Sequence, residues 1–148
     1  MFATSSDILK WADSQNVAIG GFNVYNFEGI KAVIEGGEEE ETPIIIQMHP
    51  ASLQRGGKPL IVMALEAANL SKVPVSIHLD HVDSLEVVKE GIDLGLQSFM
   101  PDGSIHNYQG NVEFTRVCAQ IIKDNEGFVE GELGRLSGTE DGTTIENY

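Results

Sequence analysis

Short apolar runs alternate with longer helical stretches along this chain at a repeat of about 30 residues, and that rhythm constrains its fold more than any other feature. Val17 to Phe22 reads as a first, buried strand, and Ile44-Ile45-Ile46, set off by Thr42-Pro43, as a second. Val73 to Leu79 is predicted as a third strand, Gln97 to Met100 as a fourth and Phe128 to Leu133 as a fifth. Between them, Glu28 to Glu41 carries Ile30, Val33 and Ile34 on one helical face. Gly57 to Leu70 does the same with Leu60, Ile61, Ala64, Leu65 and Ala68. Ser84 offers a cap for a helix running to Leu94, and Asn111 to Lys123 is a further helix. A short helix is also predicted ahead of the first strand, where Ser5, Ser6 and Asp7 offer capping oxygens before Ile8, Leu9, Trp11 and Ala12. Strands this short, each separated from the next by a helix, imply βαβ units with parallel strands, an α/β class. After Leu136, a run rich in Gly, Thr, Ser and acids reads as loop.

Composition narrows the partners. The 148 residues hold 23 acids and 9 lysines and arginines, a formal net charge of −14. Such a surface repels phosphate backbones and anionic headgroups, so neither a nucleic acid nor a membrane surface is an expected partner. Hydrophobic residues at 41% suffice for a packed core. The single cysteine, Cys118, excludes an internal disulfide framework. No apolar run approaches the ~20 residues of a membrane span, and Met1 to Ser6 lacks a charged, apolar signal; a cytoplasmic protein is expected.

In parallel α/β folds, ligands bind at the carboxyl ends of strands. Those ends carry Asn23, then Gln47 to Ser52, His78 to Ser84, Asp102-Gly103-Ser104, and Glu130 to Asp141. The densest stretch is Ser76-Ile77-His78-Leu79-Asp80-His81. Period-two geometry sets Ser76, His78 and Asp80 on one side and Ile77, Leu79 and His81 on the other, until the strand ends. His78 and His81 therefore do not make a helical metal pair. An Asp beside a His at a strand end can supply one metal ligand and one proton-transfer group, or can be a core-edge histidine held by a carboxylate. No HExxH, Cys-x-x-Cys, Walker loop or G-x-G-x-x-G is present, and Ser104 has no paired base.

Taken in order, Gly21-Phe22-Asn23-Val24-Tyr25-Asn26, His78-Leu79-Asp80-His81, Met100-Pro101-Asp102-Gly103-Ser104, Glu130-Gly131-Glu132-Leu133-Gly134 and Leu136-Ser137-Gly138-Thr139-Glu140-Asp141 resemble the motifs of class II ketose-bisphosphate aldolases, such as those acting on fructose or tagatose bisphosphate. The resemblance covers essentially the whole chain and corresponds to the first half or so of such an enzyme. It implies a (β/α)8 TIM barrel of which residues 1–148 form about the first five βα units, the N-terminal part of a single domain. It also implies cleavage of a ketose bisphosphate to dihydroxyacetone phosphate and an aldehyde, with catalytic Zn2+, a phosphorylated sugar as substrate and a homo-oligomer as the full-length state.

Residue by residue, the resemblance matches His81 to the first of three histidine ligands. It matches Asp80 to the acid/base at the C4 hydroxyl, and Glu140 to the glutamate of a mobile loop that serves the carbon proton. Asp102 and Glu132 match carboxylates near the metal, and Asn23, Gln47 and Ser52 lie where the family lines its substrate pocket. The chemistry agrees, because the carbanion left by retro-aldol cleavage needs an imine or a metal on the carbonyl, and none of the lysines falls inside a predicted strand. The other two histidine ligands and the late phosphate loops have no match here; His49 and His106 are expected in surface or pocket-edge roles. A truncated, non-catalytic barrel fragment and a metal-dependent oxo-acid aldolase are the competing readings. Pro101 departs from the usual aliphatic residue and removes one backbone donor at the end of the fourth strand. Glu38 to Glu41 reads as a solvated helix end, and Cys118 as a small core residue.

Overall fold

The computed structural model describes residues 1–134, together with the backbone of strands 138–140 and 143–145. Helix α1 (Ser5–Gln15) precedes β1 (Gly21–Asn23), and then α2 (Phe27–Glu39), β2 (Ile44–Met48), α3 (Pro50–Leu70), β3 (Val75–Val82), α4 (Leu85–Asp93), β4 (Ser98–Pro101), α5 (Tyr108–Asp124) and β5 (Phe128–Val129) alternate. The five strands form one sheet in the order β1-β2-β3-β4-β5, every pair parallel. Each strand thus lies beside the next in sequence, with a helix crossing over between them, which is the wall of a (β/α) barrel.

Local chemistry starts these helices. Thr4, rather than Ser5 to Asp7, caps α1 by accepting from the Asp7 N–H, because the chain is still extended at Thr4. Asn26, Ser84 and Asn107 cap α2, α4 and α5 in the same manner. The long α3 is two helices joined at Gly57, whose φ of 57° and ψ of −162° break the helix just before Pro59. Ile30, Ile46, Ile61, Ile77, Leu79, Phe99 and Ile122 are fully buried in one core between sheet and helices. Each such side chain contributes roughly 1.5–3 kcal/mol relative to exposure.

Several predicted elements differ. The first strand is Gly21–Asn23 rather than Val17–Phe22, and it is exposed rather than buried, with Phe22 at 46%. Among the described residues it pairs only with β2, so its outer edge has no cover. The fifth strand stops at Val129; its last ladder bond is the Glu130 N–H to the Phe99 carbonyl, beyond which the chain leaves the sheet. The run expected to be loop contains two short antiparallel strands, β6 (Gly138–Glu140) and β7 (Thr143–Ile145), with Glu140 opposite Thr143. Leu136, Ser137, Asp141 and Gly142 lie outside the described residues, as does the Glu140 side chain.

Candidate active site

Strand β3 runs three residues past its predicted end, and its last turn shapes the site. Pairing with β4 is regular at Leu79–Phe99 but slips before Val82–Pro101, and within the slip His81 takes a left-handed φ of 50°. Such a conformation costs an L-residue about 1–2 kcal/mol. Strict alternation would have set His81 on the helix-facing side with Ile77 and Leu79. The bulge instead lets its Nδ1 meet Asp102 Oδ2 at 3.0 Å. Asp102 directly follows β4 and is held from both sides. Its own N–H donates to the Val82 carbonyl at 2.8 Å, and the Ser104 N–H donates to Oδ1 at 2.9 Å. Pro101 brings no N–H to this end of the ladder, as its ring requires. Gly103 is needed for a close approach, because a Cβ there would lie 2.9 Å from the Asn111 Cα.

Asp80 is buried, and its Oδ2 accepts from Gln47 Nε2 at 3.2 Å. Its Oδ1 lies 3.7 Å from His78 Nε2. Desolvation pushes the Asp80 carboxyl upward, but His78 and the charge of His81 outweigh it, so the group stays below the usual carboxylate range. Burial likewise pushes Asp102 upward, and hydrogen bonds from His81 and Ser104 overcome it to hold the group at about 2. Both carboxylates are therefore charged near neutrality, as a base and as a partner for a cationic or metal-bound imidazole.

Below this pair, Ser76 and His78 of the dense stretch singled out in the sequence join a polar run through Ser5 and Ser98 that the sequence did not reveal. Ser98 Oγ contacts His78 Nδ1 at 2.7 Å, Ser5 Oγ contacts Ser98 Oγ at 2.7 Å, and Ser5 Oγ contacts Ser76 Oγ at 2.7 Å. All four residues are buried. Period two had set Ser76, His78 and Asp80 on one side of β3; a serine opening the otherwise apolar β4 was the remaining sequence signal. His49, expected in a surface or pocket-edge role, lies beside this site. It caps α3 through Nδ1, which accepts from the Ala51 N–H, and its ring centre is 6.4 Å from that of His81. An accepting Nδ1 leaves the proton of the neutral ring on Nε2, so His49 is a poor ligand as it stands.

The remaining expected site residues have local partners or positions of their own. Ser52 is buried and donates to the Val24 carbonyl at 3.3 Å, tying the start of α3 to the chain beyond β1. Asn23 ends β1, and Glu132 follows β5, its carbonyl accepting from Asn111 Nδ2 at 2.8 Å. Gln47, expected to line the substrate pocket, donates to Asp80 through Nε2. His106 is exposed beside Phe114.

Among the described residues, no three His, Cys, Asp or Glu side chains are grouped to hold an ion, so His81, Asp102 and Glu132 do not form a ready-made triad. What is present fits one ligand of a metal site. Metal-binding histidines typically donate their second ring N–H to a carboxylate, and the His81–Asp102 pair has that form. A catalytic zinc site ordinarily needs three protein ligands, so the described donors are incomplete for it.

Ionisable groups at the carboxyl ends of parallel strands, backed by a core on the other side, define an enzyme-type (β/α) barrel site. The family that fits is specific: residues 3–148 match Fructose-bisphosphate aldolase class-II, and the chain belongs to that family. It is 33% identical over 146 residues to a fructose-bisphosphate aldolase of Thermus caldophilus, covering 99% of this chain and 48% of that one. It is 32% identical to a sulfofructosephosphate aldolase of Alkalicoccus urumqiensis, with 98% and 51% covered. The YdjI aldolase of Escherichia coli K12 superposes with a TM-score of 0.85 at 29% identity, over 90% of this chain and 53% of that one. The chain spans about half the length of the curated relatives it matches.

Proposed function

We propose that residues 1–148 are the N-terminal part of a single barrel domain of a zinc-dependent aldolase that cleaves a ketose bisphosphate to dihydroxyacetone phosphate and an aldehyde. The observation that carries this reading is Asp80, oriented by Gln47 and held charged by His78 and His81, beside the His81–Asp102 pair. In cleavage, Asp80 takes the proton of the C4 hydroxyl, C4–O becomes the aldehyde carbonyl, and the C3–C4 bonding pair passes to C3. Glu140, on the element after β5, returns a proton to C3. Zinc, when bound with His81 as one ligand, supplies a Lewis acid for the substrate carbonyl. Asp102 orients the His81 ring, and further ligands come from residues beyond those described here. No lysine of this chain lies on a strand, which disfavours an imine route through these residues.

A cytoplasmic homo-oligomer acting on a phosphorylated sugar is the setting this reading implies; no helix among the described residues is long and apolar enough to cross a membrane. The name of the 32%-identical Alkalicoccus relative makes a sulfosugar phosphate the second substrate to assay. The test is aldol cleavage by a competent protein carrying these residues, with zinc measured in parallel. Asp80→Asn is expected to keep zinc and lower turnover by roughly 10²–10⁴, the worth of a positioned acid/base. His81→Ala is expected to lose metal. Equal metal loss in both variants would show the two roles wrongly divided.

A further inference from the structure

We propose that His78 is a positioning residue, fixed as the Nε2–H tautomer by the Ser76–Ser5–Ser98 hydroxyl chain so that its ring N–H is presented to the Asp80 and Glu130 carboxylates. Proton counting leads there. Three contacts of 2.7 Å link Ser76, Ser5, Ser98 and His78 Nδ1 in series, and the three hydroxyls bring three protons. With Ser76 donating to Ser5, Ser5 to Ser98, and Ser98 to Nδ1, every contact is filled and every hydroxyl proton is used. The remaining imidazole proton then sits on Nε2. In the opposite sense, Nδ1–H donates to Ser98 and the chain reverses. The Ser76 proton is then left over in a buried place, and the Nε2 lone pair faces two carboxylates. Each arrangement leaves one donor over, the His78 Nε2–H in the first and the Ser76 hydroxyl in the second, but only the first turns a ring N–H rather than a lone pair toward the two carboxylates, so electrostatics selects it.

The far side of the ring shows what the N–H is for. His78 is 2% exposed, and its Nε2 is the one buried side-chain polar atom among the described residues with no hydrogen-bond partner. It lies 3.7 Å from Asp80 Oδ1 and 3.6 Å from Glu130 Oε2, just outside hydrogen-bond range of each. A shift of under about 1 Å brings either into range, and hydrogen bonds at such sites commonly tighten only with substrate in place. Gln47 already holds the other oxygen of Asp80, so the His78 N–H completes control of the carboxylate plane. Glu130, just past β5 two strands away and half-exposed, is brought to the site by the same donor.

The catalytic part of this inference rests on the aldolase reading; the proton placement does not, and the two are tested separately. Two-bond 1H–15N correlation spectra of the histidine-labelled chain, with His78→Gln for assignment, read the tautomer directly. A pyrrole-type Nε2 and a pyridine-type Nδ1 are expected at His78, and Ser98→Ala should lose that fixed pattern. A pyrrole-type Nδ1 in the unaltered chain would overturn the proposal. In a competent protein, His78→Phe should lower kcat by about 10-fold to 100-fold, the usual effect of removing an outer-shell orienting group, with KM and zinc content unchanged. His78→Gln, which keeps a donor near the Nε2 position, should recover part of that loss. Equal kcat in the two variants would remove the positioning role. A parent protein without aldol cleavage but with the expected spectrum would overturn the aldolase reading and support the tautomer.

Discussion

Asp102 and Cys118 are displaced in opposite directions for reasons that can be separated. Asp102 is held at about 2 against an ordinary 3.8, so its carboxylate prefers the folded state. Its contribution is complete above about pH 4 and is lost as pH falls toward about 2, where the folded chain must also take up the proton. Urea unfolding of the metal-free chain should therefore show a smaller drop in stability across that window for Asp102→Asn than for the parent. The same acid dependence in both would deny the His81 and Ser104 contacts their role. Burial pushes the Cys118 thiol up to about 11. At pH 8 its alkylation in the folded chain should be slower than in urea by about 10²-fold, since so little thiolate is present. Rapid labelling without unfolding would place Cys118 outside the core.

At the scale of elements, the turn after β4 gives the sharpest test. Gly103→Ala forces a Cβ to within 2.6 Å of Asn111 Oδ1 and 2.9 Å of its Cα, and backbone cannot step aside as a side-chain tip can. Overpacking of this kind costs about 1–3 kcal/mol, which a denaturation midpoint would read. Glu140 stands on β6, opposite Thr143, rather than in an irregular loop. Glu140→Ala in a competent protein should slow exchange of the carbon-bound proton of dihydroxyacetone phosphate and leave zinc content unchanged; normal exchange would take Glu140 out of the chemistry.

These elements also show what was legible beforehand. The order of strands and helices followed from apolar period and capping residues, and the Asp80–His81 pair from its place at a strand end. The bulge at His81 was not legible, because nothing in Leu79-Asp80-His81-Val82 announces a left-handed residue. The exposure of Phe22 escaped for a related reason: an apolar strand reads as buried, whereas burial depends on what lies against its outer edge. The serine chain escaped because Ser5 meets Ser76 and Ser98 across 71 and 93 residues, and local patterns carry no such distances.

For the whole molecule, the uncovered edge of β1 decides how residues 1–148 behave alone. Phe22, Tyr25 and Phe27 are each nearly half-exposed at the edge strand of the sheet, which among the described residues pairs on one side only, and such edges are templates for association. The chain by itself is expected to bind zinc weakly, to show no aldol cleavage and to self-associate in sedimentation. A separately made C-terminal half of a relative should restore some turnover. Stoichiometric zinc with turnover in the 148-residue chain would overturn this. The sequential strand order has a consequence of another kind, in the timing of synthesis. Gly21 pairs with Ile45, Ile44 with Val75, Leu79 with Phe99 and Ser98 with Phe128, so each strand needs only a partner made about 20–30 residues earlier. At roughly 5–20 residues per second, that is a wait of a few seconds on the ribosome. The wall can grow one βα unit at a time behind the tunnel exit, with β1 the first strand out and the longest exposed. The hydroxyl chain around His78 closes only once β4 is out, since Ser5 and Ser76 must wait for Ser98 to emerge.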